Sequence, residues 1–315
     1  MKAKKTLILG GAGFLGSHLT RRLLADSVPV RILTRSRDSL TRLGKASDHV
    51  EICLGDFADD AVLETALRGI DNVVHLISSI GPSSPASEGI QELESTIVPT
   101  IRLLELCAEA GARRLAFVSS GGTVYGNPQS TPILESALLQ PISVYGHSKK
   151  ITESYISFYA NRYNIDASIL RLSNPFGPGQ DPQRRQGIVA VALDCLLHDK
   201  VFDIVGDGSA IRDYIYVDDA IECIVRALRT DGVGTVNVSS GTGLSVLQML
   251  ELIESVTGIQ LRRRYLPARQ TDVASSILCN ALAQRRLGWS PKTKIQDGLT
   301  NTWNCLQEHE TLKVQ

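Results

Sequence analysis

At 315 residues the chain can bury a substantial core and suggests one large domain, or a large one with a smaller companion. Its 33 Lys and Arg balance 33 Asp and Glu, so no net field draws it to a polyanion or an acidic membrane, and nucleic acid is not an expected partner despite the Arg262-Arg263-Arg264 cluster. Cys53, Cys107, Cys195, Cys223, Cys279 and Cys305 lie far apart without a C-x-x-C pair, which fits buried thiols in a reducing cytosol better than a disulfide framework or a zinc site; no metal is expected.

The elements then follow in order. MKAKKTLILGG begins basic, but its apolar run stops after four residues, too short for a signal-peptide core, and no later apolar run is long enough to span a bilayer. A soluble, cytoplasmic protein is expected. After TLIL come a helix from about Phe14, VPVRIL, VEICL, a helix near Ala61, NVVHLI, a long helix from about Ile90, LAFVSS, a helix from Tyr145 and DASILRL. Short strands alternating with amphipathic helices predict an α/β fold, a doubly wound Rossmann parallel sheet. The pattern turns irregular at the loop SNPFGPGQ, and only TVNVSS near Val236 again reads as a strand of the sheet. The expectation is a dinucleotide-binding domain over 1–173 and a smaller C-terminal substrate-binding lobe over 174–315, with the chain crossing back near 235–240.

Between TLIL and the first helix stands Gly10-Gly11-Ala12-Gly13-Phe14-Leu15-Gly16. Glycines there permit a tight turn and a close approach of pyrophosphate to backbone, and the helix N-terminus offers free N–H groups and a positive dipole. The second strand of an NAD site commonly ends in a carboxylate; here Thr34 takes that place, followed by Arg35 and Arg37. A hydroxyl followed by guanidinium groups admits a 2′-phosphate, so NADP or NAD is expected with NADP slightly favoured, unless both arginines are solvated loop residues. Asp56 and Phe57 offer a carboxylate and an aromatic ring to the adenine, or Asp56 caps the next helix.

Tyr145 and Lys149 stand one helical turn apart on one face. An ammonium beside a phenol favours the phenolate and lowers its pKa toward neutrality, making an acid/base usable at physiological pH. Upstream, VSSGGTVYG supplies the hydroxyls of Ser119, Ser120 and Thr123. His18, His75 and His147 have no metal-ligand spacing and read as structural.

GGAGFLGSH, GDF, VVHLIS, SSGGTVYG, PISVYGHSK, LRLSNPFGPGQ, RDYIYVDD, ARQTD and LGWSPK, in this order along nearly the whole chain, resemble the extended short-chain dehydrogenase/reductase family and, within it, the nucleotide-sugar 4-epimerases. The resemblance implies transient oxidation at sugar C4, rotation of the 4-keto sugar, and return of hydride to the opposite face. It makes Tyr145 the acid/base and has Lys149 hold the nicotinamide ribose. It places Gly10, Gly13, Phe14, Leu15, Gly16, Leu76 and the residues above at the cofactor. The family's usual catalytic Ser or Thr falls on Gly121, so Thr123 becomes the first choice for the bridging hydroxyl and Ser120 the second. The acidic residue that related 4,6-dehydratases need at 121–122 is missing.

The resemblance also assigns Asn174, Arg212, Arg269 and Asp272 to a UDP- or dTDP-linked substrate, where guanidinium groups suit a diphosphate; interlobe ion pairing is the alternative. Ser276, small where a tyrosine would restrict the sugar C2 substituent, implies tolerance of an N-acetyl group. A homodimer is expected through the helices from Ile90 and Tyr145, with Ile90, Leu93, Ile97, Ile101 and Leu104 as the apolar stripe. Two other readings stand beside the epimerase: an NADPH-dependent reductase of a 4-keto nucleotide sugar, suggested by Thr34, Arg35 and Arg37, and a cofactor-binding regulator disabled at Gly121.

Overall fold

The computed structural model describes residues 4–184, 187–268 and 273–314. The first half runs β1 (Thr6–Leu9), α1 (Phe14–Ala25), β2 (Val30–Thr34), β3 (Glu51–Leu54), α2 (Asp60–Leu67), β4 (Asn72–His75), α3 (Gly89–Glu92), a π-helical turn (Leu93–Ile97), α4 (Val98–Ala110), β5 (Arg114–Ser120), α5 (Gly121–Val124), α6 (Val144–Tyr163) and β6 (Asp166–Leu172). The second runs β7 (Asn174–Phe176), α7 (Ile188–Leu197), β8 (Phe202–Val205), β9 (Ile211–Tyr216), α8 (Val217–Ala227), β10 (Gly234–Val238), β11 (Gly243–Ser245), α9 (Val246–Thr257), β12 (Arg263–Leu266), β13 (Ser275–Ser276), α10 (Ala281–Leu287) and α11 (Ile295–Val314).

Seven strands form one parallel sheet in the order β10-β6-β5-β4-β1-β2-β3. The chain reverses direction across the sheet between β1 and β4, and their carboxyl ends open a crevice there, where α/β folds bind ligands. Strand alternation divides the interior. Leu7, Leu9, Val73, Leu115 and Phe117 pack on one face with Leu63 of α2, Leu103 and Leu104 of α4 and Ile156 of α6. Ile8, Ile32, Val74, Ala116 and Leu170 pack on the other with Leu19 of α1 and Ile221 and Val225 of α8. Both faces are covered, which is why the strands read as apolar runs and not as alternation. Each such side chain contributes about 1.5–3 kcal/mol on burial.

The exception proves informative at Arg31, buried in β2. Its guanidinium donates to the carbonyls of Ala66 at 2.7 Å and Arg68 at 2.8 Å, satisfying the end of α2. In the second half β9 is central: β7 and β13 pair with it in parallel and β11 antiparallel, while β8 pairs with β12. These strands of two to six residues lack a clear period and escape sequence reading. Among the described residues, no helix is long and apolar enough to cross a membrane.

The apolar stripe of the long helix divides differently from the sequence expectation. Ile97 and Leu104 are buried within the chain and Ile101 is half-buried. Ile90, Leu93 and Val98 are left exposed beside Tyr155 and Phe158 of α6.

Candidate active site

A cleft of about 760 Å³ runs along the carboxyl ends of β1, β4, β5 and β6. Its floor at one end is the glycine turn: Gly10, Gly13, Phe14, Leu15 and Gly16 all line it. Gly10 takes φ +84°, in the left-handed region that favours glycine, and a Cβ on Gly16 would strike the Gly10 carbonyl. Helix α1 starts after Gly13 without a side-chain cap, so its first N–H groups remain available to an anion. Leu76 and Arg35 complete this end. The turn thus fits the pyrophosphate of a dinucleotide on its own geometry.

Other residues expected at the cofactor stand away from the cleft lining. The Thr34 hydroxyl bonds to Ser36 O at 3.2 Å and to Ser39 Oγ at 2.7 Å, closing a local turn. Arg37 is exposed and precedes the 3₁₀ segment 38–49. Phe57 is buried in the core against the His75 ring, which removes it as an adenine platform. Asp56 accepts the Ala58 N–H at 2.9 Å, and it is Asp59 that caps α2.

The middle of the cleft holds Ser120, Thr123, Tyr145 and Lys149. Ser143 caps α6 by accepting the Gly146 N–H at 3.1 Å, and this sets Tyr145 and Lys149 in the first two turns. Gly146 lets the helix start abut the Thr123 carbonyl, where a Cβ would collide. The Lys149 ammonium donates to Val118 O at 3.3 Å, lies 4.9 Å from the Phe117 ring centroid and 5.6 Å from that of Tyr145. Burial pulls Lys149 down to about 8, with Glu92 and Glu153 opposing. Burial pushes the Tyr145 phenol up to about 12, a hydrogen bond from the Ser120 hydroxyl favours its ionised form, and the charge of Glu92 disfavours it. The expected fall toward neutrality therefore does not arise from Lys149 alone, since desolvation outweighs an ammonium held against Val118.

Both candidate hydroxyls line the cleft. Thr123 donates to Ser120 O at 3.3 Å within its own short helix, and Ser120 is the hydroxyl that favours the ionised form of Tyr145. Position 121 has room for no side chain: a Cβ there would meet Leu278 and the Arg171 carbonyl. Ser119 turns inward to Glu153.

Beyond Tyr145 the cleft is walled by Asn174 and Arg212. Asn174 is anchored by donating to Asp213 O at 3.0 Å, and Arg212 donates to Ile211 O at 2.9 Å. Ser276 is not among the residues lining the cleft: β13 pairs it with Arg212 of β9, and it is buried at 2% exposure. Arg269 and Asp272 lie outside the described residues. Sequence reading missed a further part of the cleft lining, Ser78 to Pro82 with Ser84 and Gln91, because a Ser/Pro-rich loop has no periodicity. It also missed the buried pair of Arg171 and Glu153, 2.7 Å apart, which braces β6 against α6. Among the described residues no group of three His, Cys, Asp or Glu could hold a metal ion.

A glycine-lined anion cradle leading to a Ser, Tyr and Lys group at the edge of a parallel sheet defines a dinucleotide-dependent enzyme that moves hydride and proton at a carbinol. The chain belongs to the NAD dependent epimerase/dehydratase family, whose sequence model matches residues 6–239. It is 33% identical over 303 residues to a UDP-glucose 4-epimerase of Mycolicibacterium smegmatis, covering 95% of this chain and 97% of that one. Among solved structures, a UDP-glucose 4-epimerase of Thermotoga maritima with UDP-glucose superposes with a TM-score of 0.92 at 30% identity, covering 97% of this chain and 99% of that one. One from Thermus thermophilus in complex with NAD gives 0.89 at 29% identity, covering 96% and 99%.

Proposed function

We propose that the protein is a nucleotide-sugar 4-epimerase working through a 4-keto sugar. The observation that carries this is the single cleft joining the glycine cradle, the Ser120, Tyr145 and Lys149 side chains and the Asn174/Arg212 wall. Residues 1–173 hold the dinucleotide in this reading, and 174–315 mainly the nucleotide sugar, with β10 returning to the large sheet.

Bound NAD would supply the hydride acceptor and donor at C4 and, in its oxidised form, a positive charge that favours the Tyr145 phenolate. The phenolate removes the proton of the sugar C4 hydroxyl and returns it once the ketone has presented its other face. Ser120 spans Tyr145 and the sugar O4, holding the proton path as charge shifts between them. Lys149, which donates to Val118 O, sets its ammonium beside the Tyr145 ring and would hold the nicotinamide ribose when the cofactor is bound. Asn174 and Arg212 hold the substrate at the diphosphate end, where a planar guanidinium pairs well with phosphate oxygens. NAD is the expected resident, and Arg35 at the cleft leaves NADP admissible.

The exposed apolar side chains of α3, α4 and α6 form the surface through which we propose that two copies associate. UDP- or dTDP-linked sugars are the proposed substrates. The deciding experiment incubates purified enzyme with UDP-glucose and, separately, UDP-N-acetylglucosamine and resolves the C4 epimers chromatographically while following absorbance at 340 nm. Interconversion without net change in reduced nicotinamide is expected. Consumption of NADPH by a 4-keto nucleotide sugar, with no epimerisation, would install the reductase instead.

A further inference from the structure

Glu92 is a carboxylate at 1% exposure that the sequence reading passed over and that the reaction scheme above does not use. It ends α3 just before the π-helical turn, and such turns recur at functional sites because the extra residue redirects side chains. Four donors converge on it. Ser78 Oγ donates to Oε1 at 3.2 Å; the Ser79 N–H at 3.2 Å, the Ser79 hydroxyl and Thr96 Oγ1 at 3.0 Å all donate to Oε2. Neighbours on the same turn add to the grip: the Ser79 N–H also reaches Thr96 Oγ1 at 3.3 Å, and Ser95 Oγ donates to Ser79 Oγ at 2.8 Å.

Three of the four bonds come from Ser78 and Ser79, the first residues of the loop that lines the cleft together with Asn174 and Arg212. An ionised carboxylate is the one side chain that offers only acceptors to so many donors, and charge-assisted bonds are about twice as strong as neutral ones. Its charge also reaches the two groups across the cleft, favouring the protonated forms of Lys149 and Tyr145.

We infer that Glu92 is a positioning residue: its buried carboxylate clamps the Ser78–Ser79 wall in register with Tyr145, so that the sugar is held for proton transfer. This rests on the epimerase reading for its effect on turnover, but the clamp itself is a property of the fold. Glu92→Gln keeps the volume, halves the acceptors and aims an amide NH₂ at donors.

Amide hydrogen exchange of the peptide covering 76–84 is measured in wild type and Glu92→Gln, alongside kcat and KM for the epimerised nucleotide sugar. The variant should exchange that peptide about tenfold faster and lose about tenfold in kcat, with KM within about threefold. Val225→Ala, a cavity in α8 far from the loop, should lower stability without either effect. Wild-type exchange over 76–84 in Glu92→Gln would overturn the clamp. Faster exchange with unchanged kcat in an active enzyme would overturn its role in positioning. If wild type turns over neither sugar, the epimerase reading fails, and the exchange result alone decides the clamp. Should Glu92→Gln fail to fold, Ser79→Ala, which removes one donor, is expected to show a smaller change in the same direction, and no change would count against the inference.

Discussion

A single missing side chain limits where the proposed bridging hydroxyl could come from. Gly121 is enforced by the Arg171 carbonyl and Leu278, so no hydroxyl can stand there, and the choice falls to its neighbours. Counting along the sequence brings Thr123 to the fore, yet the turn of α5 bends that hydroxyl back onto Ser120 O. Ser120, the last residue of β5, lines the same cleft as Tyr145 and favours its ionised form. A positioned proton-transfer partner is commonly worth ~100-fold or more in rate. Ser120→Ala is therefore expected to lower kcat by about 30- to 100-fold with little effect on cofactor affinity, and Thr123→Val to stay within about threefold of wild type. Steady-state kinetics on the two variants check this, and the opposite order would return the role to Thr123.

At the scale of elements, β4 shows how the core reaches into the site. His75 at its end is fully buried between Phe57 and Phe117, accepts the Ile77 N–H at 3.2 Å through Nδ1, and therefore donates from Nε2 to Thr100 Oγ1 at 2.8 Å. Thr100 passes its own proton to Thr96 O at 2.6 Å, tying β4 to α4. Burial, then the Lys149 charge, holds His75 down to about 3, so it stays neutral in the folded chain while the unfolded chain takes up a proton near 6.5. The unfolded state binds more protons between these values, so stability falls as pH drops through 6.5 and goes on falling toward 3. From pH 7 to pH 5 this one group accounts for a loss of roughly 2 kcal/mol. His75→Asn, whose Oδ1 can accept the Ile77 N–H, should be less stable at pH 7 but lose roughly 2 kcal/mol less than wild type between those pH values. Urea unfolding at pH 7 and pH 5 measures both slopes; parallel slopes would show that His75 does not titrate on unfolding. The strands of the large sheet were legible because burial on both faces writes them as apolar runs, and the glycine turn and Tyr145/Lys149 pair because local spacing fixes their geometry. The Glu92 clamp, the inward Phe57 and the inward Ser276 were not, since each depends on which face an irregular segment turns to a partner distant in sequence.

The molecule as a whole leaves one apolar surface unexplained by its own packing. Ile90 is 70% exposed and Phe158 60%, with Leu93, Val98 and Tyr155 around them, on helices whose opposite faces pack on the sheet. Apolar side chains gathered on two adjacent packed helices mark an association surface more than scattered exposure does. A two-fold pairing of α4 and α6 would build a four-helix contact, self-complementary because each copy offers the same face. Stable pairs of this kind bury about 1,200–2,000 Å² in total, a size two such helix pairs can reach. Sedimentation equilibrium should find wild type dimeric at micromolar concentration. Val98→Glu combined with Phe158→Glu, which places like charges across the pairing axis, should weaken association by at least about 100-fold while changing kcat far less. A wild type that sediments as a monomer, or a double variant that remains dimeric, would remove this face from the assembly.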